Sequence, residues 1–250
     1  MTRKFKYIYT LLLFIVPLTL SFSVSAKVRV YILAGQSNMM GKGKTHKLPA
    51  AYKKQPKNVT FYYQGRPRKL AQYSHFGPEV SFAHEISRAF PNDSHIIIKH
   101  VATGSSIQQW LPGSGLFNSM LRQRGFVKVG NNLDINTIKV DAVFWMQGEA
   151  DARNSHDASR YEGSLKRFIT GVRNKLESPH SLFIMGEINP EDPAFAMTET
   201  VQKAQQKVQH SLANVKLVST QGLGKIFDHV HYDAAGQIEL GKRFAKAYRH

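Results

Sequence analysis

The chain has no cysteine among its 250 residues. Disulfide bonds and catalysis by a thiol are therefore both excluded. The folded state has to be stabilised by core packing, and a hydrophobic content of 42% in a chain of this length is enough to build a large core. The composition predicts a globular protein.

Acidic residues are scarce. The chain has 17 Asp and Glu residues against 34 Lys and Arg residues, which gives a net charge of +17. Three of these positive charges lie in the first 26 residues, which hold no acidic residue, so the rest of the chain keeps +14. Such a charge favours anionic partners, for example acidic polysaccharide, lipopolysaccharide or nucleic acid. Because no basic run is interleaved with regularly spaced aromatic residues, nucleic acid is not a predicted partner.

A hydrophobic run long enough to span a membrane is also absent. The apolar stretch "LLLFIVPLTL" (11–20) follows basic residues and is interrupted by Pro17, whereas a spanning helix needs roughly 20 apolar residues. Small residues follow at "VSA" (24–26), where a signal peptidase would cut. We therefore predict a signal peptide over 1–26, with an uncleaved anchor as the alternative, and a single secreted or periplasmic domain over 27–250 with no stable membrane insertion after cleavage.

Short apolar runs alternate with segments of helical spacing along the rest of the chain. The runs predicted as strands are 28–34, 95–102, 140–146, 181–188 and 214–220, and the segments predicted as helices are 78–90, 159–176, 198–212 and 233–248. Strands alternating with helices at this spacing predict an α/β fold with a mostly parallel five-stranded sheet covered on both faces. The polar stretch 42–58 and the Gly/Asn-rich stretch 111–135 are predicted as surface loops.

Polar motifs follow four of the five predicted strands. They are "GQSN" (35–38), "TGSS" (103–106), "QGEAD" (147–151) and "FDHVHYD" (227–233). In parallel sheets the functional groups collect beyond the carboxyl ends of the strands, so we expect these motifs to lie at one edge of the sheet. Together they supply a serine, a Gly-rich turn, an amide beside an acid, and an Asp/His pair, which are the components of an acyl-transfer site.

The serine of the first motif is the candidate nucleophile. Ser37 lies between a glycine and two amides at the end of a strand, a pattern that predicts a strand, a sharp turn and then a helix. Serine is a weak nucleophile at neutral pH and needs a base within hydrogen-bond reach, usually oriented by an acid. His231 and Asp228, three residues apart after the last predicted strand, provide both groups.

Amide groups near the same edge are candidates for binding the substrate. The backbone N–H groups of Ser37 and Gly104 and the side-chain amide of Gln147 are the predicted oxyanion donors. The alternatives are a simple turn glycine at Gly104 and a strand-end cap at Gln147. The amides that flank the nucleophile, Gln36 and Asn38, are expected to contact the substrate.

Two other site types do not fit the sequence. The stretch "GKGKT" (41–45) resembles a phosphate-binding loop, but the glycine required five residues earlier is replaced by Asn38. His229 and His231 form a His-x-His pair, yet the chain has no cysteine and no second cluster of acids and histidines with ligand spacing. We predict neither a metal nor another cofactor.

Four blocks of the sequence, in order, resemble the SGNH-hydrolase superfamily. They are "GQSNM" (35–39), "FGPEVSFA" (76–83), "WMQGEAD" (145–151) and "DHVHYDAAGQ" (228–237), and they are similar to the branch that holds sialate O-acetylesterases and family-six acetylxylan esterases. The resemblance implies a three-layer, flavodoxin-like α/β/α sandwich, Ser37 as nucleophile, His231 as base, and metal-free hydrolysis of acetylated sugars. Met146 stands where the family often has histidine, which leaves the substrate preference open.

The acid that orients the histidine has two candidates. Asp228 fits a D-x-x-H pattern, whereas Glu149 of the "QGEAD" block is the orienting acid in similar enzymes; we favour Asp228. The expected protein is an exported serine esterase that deacetylates carbohydrates, including acidic ones. The alternatives are an esterase or thioesterase for small acyl groups, and a polysaccharide-binding protein of the same fold without turnover. The sequence leaves the oligomeric state open.

Overall fold

The computed structural model describes residues 26–127, 135 and 138–250. The predicted signal peptide, apart from Ala26, lies outside the described residues. The strands are β1 (Val28–Gly35), β2 (Gly43–Lys44), β3 (Val59–Tyr63), β4 (Arg66–Arg68), β5 (His75–Phe76), β6 (Ser94–Val101), β7 (Ala142–Met146), β8 (Leu182–Gly186) and β9 (Val215–Val218). The helices are α1 (Ser37–Met40), α2 (Ala50–Lys53), α3 (Glu79–Ala89), α4 (Gly115–Arg122), α5 (Ser155–Lys175), α6 (Thr198–Ser211) and α7 (Ala234–Arg249).

Seven of these strands form one sheet in the order β4-β3-β6-β1-β7-β8-β9. Every neighbouring pair is parallel except β3 and β4, which are antiparallel. The five predicted strands correspond to β1, β6, β7, β8 and β9, so the predicted α/β class with a mostly parallel sheet is confirmed. A small antiparallel pair, β2 and β5, lies outside this sheet.

The sheet has two strands more than the sequence analysis predicted. Strand β3 has the sequence VTFYY, whose β-branched and aromatic residues are typical of strands. It adds to β6 in parallel register, with Phe61 opposite Ile97. Strand β4 is the short edge, and an edge is where Pro67 is tolerated because one side of the strand needs no ladder hydrogen bonds.

All four predicted helices are present, as α3, α5, α6 and α7. The prediction of surface loops over 42–58 and 111–135 is wrong. The stretch 42–58 contains β2, a 3-10 helix over Thr45–Lys47 and α2, and the described part of 111–135 contains α4 and a 3-10 helix over Gln123–Phe126. Helix α4 forms because Ser114 caps its N-terminus, with its hydroxyl accepting the Phe117 N–H, and because Phe117 and Met120 share one buried face.

Two adjacent residues of β7 contact helices on opposite faces of the sheet, which gives the fold three layers. Phe144 points to one face of the sheet, where its ring lies 4.5 Å from Phe82 of α3 and 5.4 Å from Phe244 of α7. Trp145 points to the other face, where its ring lies 4.4 Å from Phe168 of α5. Each face of the sheet is therefore covered by helices, as in the predicted α/β/α sandwich.

Among the described residues, no helix combines the length and the apolar character that crossing a bilayer would require.

Candidate active site

The turn after β1 places Ser37 at the carboxyl edge of the sheet. Gly35 ends the strand with φ +143°, and a Cβ added there would lie 2.1 Å from the Met146 carbonyl oxygen. The Gln36 N–H donates to that same carbonyl at 2.9 Å. Only glycine allows this close approach of β1 and β7, and the helical turn α1 begins with Ser37 directly afterwards. The predicted order of strand, sharp turn and helix is confirmed.

Three side chains form a hydrogen-bonded chain at this edge. Ser37 Oγ lies 2.8 Å from His231 Nε2, and His231 Nδ1 lies 2.6 Å from Asp228 Oδ2. Because the carboxylate only accepts hydrogen bonds, Nδ1 carries the proton and Nε2 is free to accept the proton of the serine hydroxyl. The structure thus brings together the predicted nucleophile, base and acid, in the arrangement of a Ser-His-Asp triad.

Asp228 is held in place by backbone groups of its own loop. Its Oδ1 accepts the N–H groups of Val230 and His231, each at 2.9 Å. Partial burial alone would raise the pKa of Asp228, but these bonds and the imidazole contact outweigh it and hold the pKa below its ordinary value. The side chain is therefore a carboxylate at neutral pH and is able to stabilise a protonated imidazole.

Glu149, the other candidate acid, is bound to a different side chain. Its Oε1 accepts a hydrogen bond from Asn38 Nδ2 at 2.6 Å, and its Oε2 has no hydrogen-bond partner among the described residues. Burial raises the pKa of Glu149, although the bond from Asn38 and the nearby His231 work in the opposite direction. Asp228, and not Glu149, makes the hydrogen bond to the imidazole.

Asn38 connects two loops of the site and does not line the cavity, which differs from the predicted contact with substrate. It is 1% exposed. Its Nδ2 also donates to the Val230 carbonyl at 3.1 Å, and its Oδ1 accepts the Tyr232 N–H at 3.1 Å. With every polar atom of the side chain engaged, Asn38 fixes the position of the histidine loop relative to Glu149. Of the two predicted amides, only Gln36 lines the cavity.

Gln147 is likewise turned into the protein and does not reach the cavity, which differs from its predicted role as an oxyanion donor. The side chain is fully buried, and its Nε2 donates to the Ser105 carbonyl at 2.9 Å and to Asp151 Oδ2 at 2.5 Å. The Asp151 carboxylate also accepts the Ile107 N–H at 3.0 Å. Burial raises the pKa of Asp151 to about 6, with the bonds from Gln147 and Ile107 opposing it.

These contacts secure the loop after β6, which carries Gly104. Gly104 adopts φ +68°, a left-handed conformation, and has open space where a side chain would be. In the described part of the chain, the N–H groups of Ser37 and Gly104 have no hydrogen-bond acceptor. Both residues line the cavity, so their N–H groups are the candidate donors to an oxyanion.

The cavity at Ser37 has a volume of about 670 Å³ and is lined by both polar and apolar residues, with Glu149 as its carboxylate. Lys42 and Arg153 contribute its cations, and no carboxylate of a described residue lies within ion-pair distance of either. The Arg153 guanidinium stacks over the Phe195 ring at 4.3 Å. The site therefore combines the hydrogen-bonded Ser37, His231 and Asp228 with two cations, Lys42 and Arg153, in the wall of one cavity.

The fold and the Ser-His-Asp arrangement are those of an SGNH hydrolase. Residues 27–250 match the family described as carbohydrate esterase, sialic acid-specific acetylesterase, and the chain belongs to this family. It is a carboxylic ester hydrolase that acts on carbohydrates, so the resemblance stated from the four sequence blocks is confirmed.

Known proteins with similar sequences and folds agree with this assignment. The Arabidopsis thaliana protein named "Probable carbohydrate esterase At4g34215" is 27% identical over 245 residues, which cover 88% of this chain and 90% of the relative. Its crystal structure gives a TM-score of 0.75 at 24% identity, covering 88% of this chain and 97% of that one. NanS gives a TM-score of 0.71 at 16% identity over 90% of this chain and 97% of that one. XAC1771, a carbohydrate acetylesterase from Xanthomonas citri, gives 0.64 at 18% identity over 89% and 56%.

Sequence reasoning missed the roles of three residues in the site. Asp151 belongs to the quoted block "QGEAD", and its four-residue spacing from Gln147 was the available signal for a contact on one turn. Lys42 and Arg153 gave no signal, because a single basic residue in a strongly basic chain does not stand out.

Proposed function

We propose that this protein is an exported serine esterase that removes O-acetyl groups from carbohydrates, with Ser37 as nucleophile, His231 as general base and Asp228 as the orienting acid. The observation that carries the proposal is the continuous hydrogen-bonded chain from Ser37 Oγ through His231 to Asp228, with distances of 2.8 and 2.6 Å. Glu149 supports the site through Asn38 and takes no direct part in proton transfer.

The geometry supports a two-step acyl transfer. Ser37 Oγ attacks the acetyl carbonyl carbon while His231 Nε2 takes the hydroxyl proton, and the imidazolium is stabilised by Asp228. The tetrahedral intermediate collapses when His231 returns the proton to the sugar oxygen, which leaves as an alcohol. Water then attacks the acetyl-serine in the same way and releases acetate.

The developing negative charge is stabilised by backbone donors. The N–H groups of Ser37 and Gly104 both border the cavity without competing acceptors, and they form the proposed oxyanion hole. Gln147 and Asp151 do not bind the oxyanion themselves. They hold the loop that carries Gly104. Gln36 lines the cavity beside Ser37 and is the proposed substrate contact among the amides.

Acetate release from a panel of esters tests this function. The panel consists of a chromogenic acetate ester, acetylated xylan and O-acetyl sialic acid, and the Ser37→Ala variant should lose on the order of 10³-fold or more in kcat on every accepted ester. Ser219→Ala, which changes an exposed serine, is the matched control and should keep wild-type turnover.

The outcomes of this panel separate the alternatives. Turnover above a tenth of wild type in Ser37→Ala would contradict the nucleophile assignment. Hydrolysis of simple acyl esters or thioesters without any acetylated carbohydrate would favour the small-acyl esterase, and binding of acetylated polysaccharide without acetate release would favour the non-catalytic protein.

Export is a separate part of the proposal and has its own test. The N-terminal sequence of the protein recovered from periplasmic or culture fractions should begin at Lys27, directly after "VSA". A protein that stays in the membrane fraction with residues 1–26 attached would support the anchor instead.

A further inference from the structure

A second cavity adjoins the one at Ser37 and is not used by the chemistry proposed above. This side cavity has a volume of about 300 Å³ and lies between β3, the segment 69–75 and the end of α1. Met40 and Lys42 line both cavities, so the two share a wall that begins three residues after the nucleophile. A group bound in the side cavity would therefore lie next to the group bound at Ser37.

Three aromatic rings line the side cavity. They belong to Phe61, Tyr63 and Tyr73, and the ring of Tyr63 lies 6.5 Å from that of Phe61 and 6.0 Å from that of Tyr73. Tyr73 is 48% exposed, which is unusual for a large ring in this protein. Rings with an apolar face and a polar hydroxyl suit a ligand that is itself apolar on one face and polar at its edge, and a sugar ring has that character.

The lining is also positively charged. It contains Lys42, Lys69 and Lys99 but only one carboxylate, Glu79. The negative charge of Glu79 is compensated by Lys99, because Glu79 Oε2 lies 2.5 Å from Lys99 Nζ in a buried ion pair. The amines of Lys42 and Lys69 have no carboxylate of a described residue within 4 Å, so they leave two uncompensated positive charges at the cavity.

The buried pair makes the floor of this cavity rigid and connects it to the nucleophile turn. Lys99 Nζ also donates to the Met40 carbonyl at 2.9 Å, and Met40 is the last residue of α1. Glu79 Oε1 accepts the Gly77 N–H at 3.1 Å. Every charged group of the floor has a partner, so the open recognition groups are the lysines of the wall and the aromatic rings.

We propose that the side cavity is a second saccharide subsite, which binds a carboxylate-bearing sugar residue next to the residue whose acetyl ester reaches Ser37. This inference rests on the proposed function and names the substrate class as an acidic oligosaccharide or polysaccharide. The sugar ring packs on Tyr63 and Tyr73, and its carboxylate lies between Lys42 and Lys69. The volume is at the low end of the range of about 300–1,000 Å³ typical of ligand pockets, which suits one sugar residue.

The charges decide between this ligand and an apolar one. A long acyl chain in the side cavity would offer the two lysine amines no hydrogen-bond partner and would remove water from the partly buried Lys42, which is unfavourable. A carboxylate gives each amine a charge-assisted hydrogen bond. The ligand that satisfies both the rings and the amines is therefore an anionic sugar.

A matched pair of substrates tests the proposal. An O-acetylated oligouronide and its methyl ester share the same rings and acetyl groups, and the methyl ester replaces each carboxylate by an uncharged ester group. A chromogenic acetate ester reports the chemistry alone. We expect a lower KM for the free acid, and we expect Lys69→Gln to raise that KM by about three- to tenfold while leaving the methyl ester and the chromogenic ester unchanged. Tyr73→Ala should raise KM for both oligosaccharides alike, because it removes ring packing and not charge.

Controls separate this subsite from general electrostatics. Lys175→Gln removes the same charge from an exposed position at the end of α5 and should leave all three KM values unchanged. The preference for the free acid should shrink as salt rises, because the lysines of the wall are partly open to solvent. Equal KM values for the acid and its methyl ester, or equal effects of Lys69→Gln and Lys175→Gln, would overturn the proposal.

Binding measured without turnover keeps the two proposals distinguishable. Calorimetric titration of the oligouronide into the Ser37→Ala variant, with and without Lys69→Gln, reports the subsite even if no ester is hydrolysed. Weaker binding with Lys69→Gln supports the subsite whatever the outcome of the acetate assay. Binding that is unaffected by Lys69→Gln overturns it, while turnover of the chromogenic ester would still support the proposed function.

Discussion

The carboxylate of Glu149 is hydrogen-bonded to Asn38, with 2.6 Å between Oε1 and Nδ2. Asn38 in turn bonds the backbone of Val230 and Tyr232, which flank His231. A buried acid thus acts on His231 through an amide and the backbone. The site therefore contains two carboxylates with different contacts. Asp228 bonds the imidazole directly, whereas Glu149 is connected to it through Asn38.

The two acids should respond differently to neutralisation. Asp228→Asn removes the group that fixes the imidazole tautomer and stabilises the imidazolium, so kcat should fall by about 10²- to 10⁴-fold with little change in KM. Glu149→Gln should cost less, because the amide still accepts a hydrogen bond from Asn38. Steady-state kinetics of both variants on one chromogenic acetate ester make the measurement. A larger loss in Glu149→Gln, with Asp228→Asn near wild type, would reverse the assignment.

Removing the bridging amide should weaken both stability and catalysis. Asn38→Ala leaves the buried Glu149 carboxylate and the Tyr232 N–H without partners, so the free energy of unfolding should fall by about 2–4 kcal/mol. Urea unfolding gives the value. In the double variant Asn38→Ala/Glu149→Gln part of the loss should be recovered, because the orphaned group is then neutral. Strictly additive losses would contradict the coupling.

Asp151 should make stability depend on pH. Its pKa is raised to about 6 in the folded protein from an ordinary value of 3.8, so the folded state holds the proton more tightly than the unfolded chain. Its contribution to stability is fully present below about pH 4 and is lost as pH rises through about 6, by roughly 3 kcal/mol at 1.4 kcal/mol for each pKa unit.

The Asp151→Asn variant isolates this contribution. The difference in unfolding free energy between wild type and variant should change across pH 4 to 7, in the sense that wild type loses more as pH rises. A flat difference for Asp151→Asn would show that its carboxyl group titrates normally.

Two glycines should respond to alanine with opposite signs. Gly35→Ala places a Cβ 2.1 Å from the Met146 carbonyl oxygen at a φ of +143°, so it should destabilise by about 3 kcal/mol or more and reduce activity. Gly163→Ala lies within α5 with nothing within 4 Å of the new Cβ, so it should stabilise by about 0.5–1 kcal/mol. Chemical denaturation of both variants tests the pair, and similar effects would contradict the geometry of the turn.

Chelators should leave the activity unchanged. The proposed triad needs no metal, and the described residues hold no cluster of three His, Asp or Glu side chains that could bind one. Acetate release should be the same before and after extended treatment with a strong chelator. A loss that added zinc restores would revive the His-x-His pair at His229 and His231 as a metal site.

The sequence predicts a site residue when its side chain has the required chemistry and it directly follows a predicted strand. Ser37 follows a glycine at a strand end, and Asp228 and His231 are three residues apart on one turn, so local sequence places each in reach of its role. The same local reasoning identified β1, β6, β7, β8 and β9, because buried parallel strands have continuous apolar runs.

The features that were missed depend on contacts between distant segments. Asn38 looks like a substrate-binding amide until the fold places Glu149 against it, 111 residues away in the sequence. Gln147 turns inward because the Ser105 carbonyl and Asp151 offer its amide two acceptors. Strand β3 has ordinary strand residues, but its place beside β6 follows only from the assembled sheet.

Ser37 and His231, the proposed nucleophile and base, are separated by 194 residues, and His231 lies in the loop directly before α7. A nascent chain that has not yet formed this loop carries an inert serine, and so does an N-terminal fragment left by proteolysis. Under the proposed mechanism, acetate release is a direct assay of completed folding, sensitive to the docking of the last helix. In a refolding experiment, the recovery of activity should follow the slowest step of assembly, later than the recovery of secondary structure.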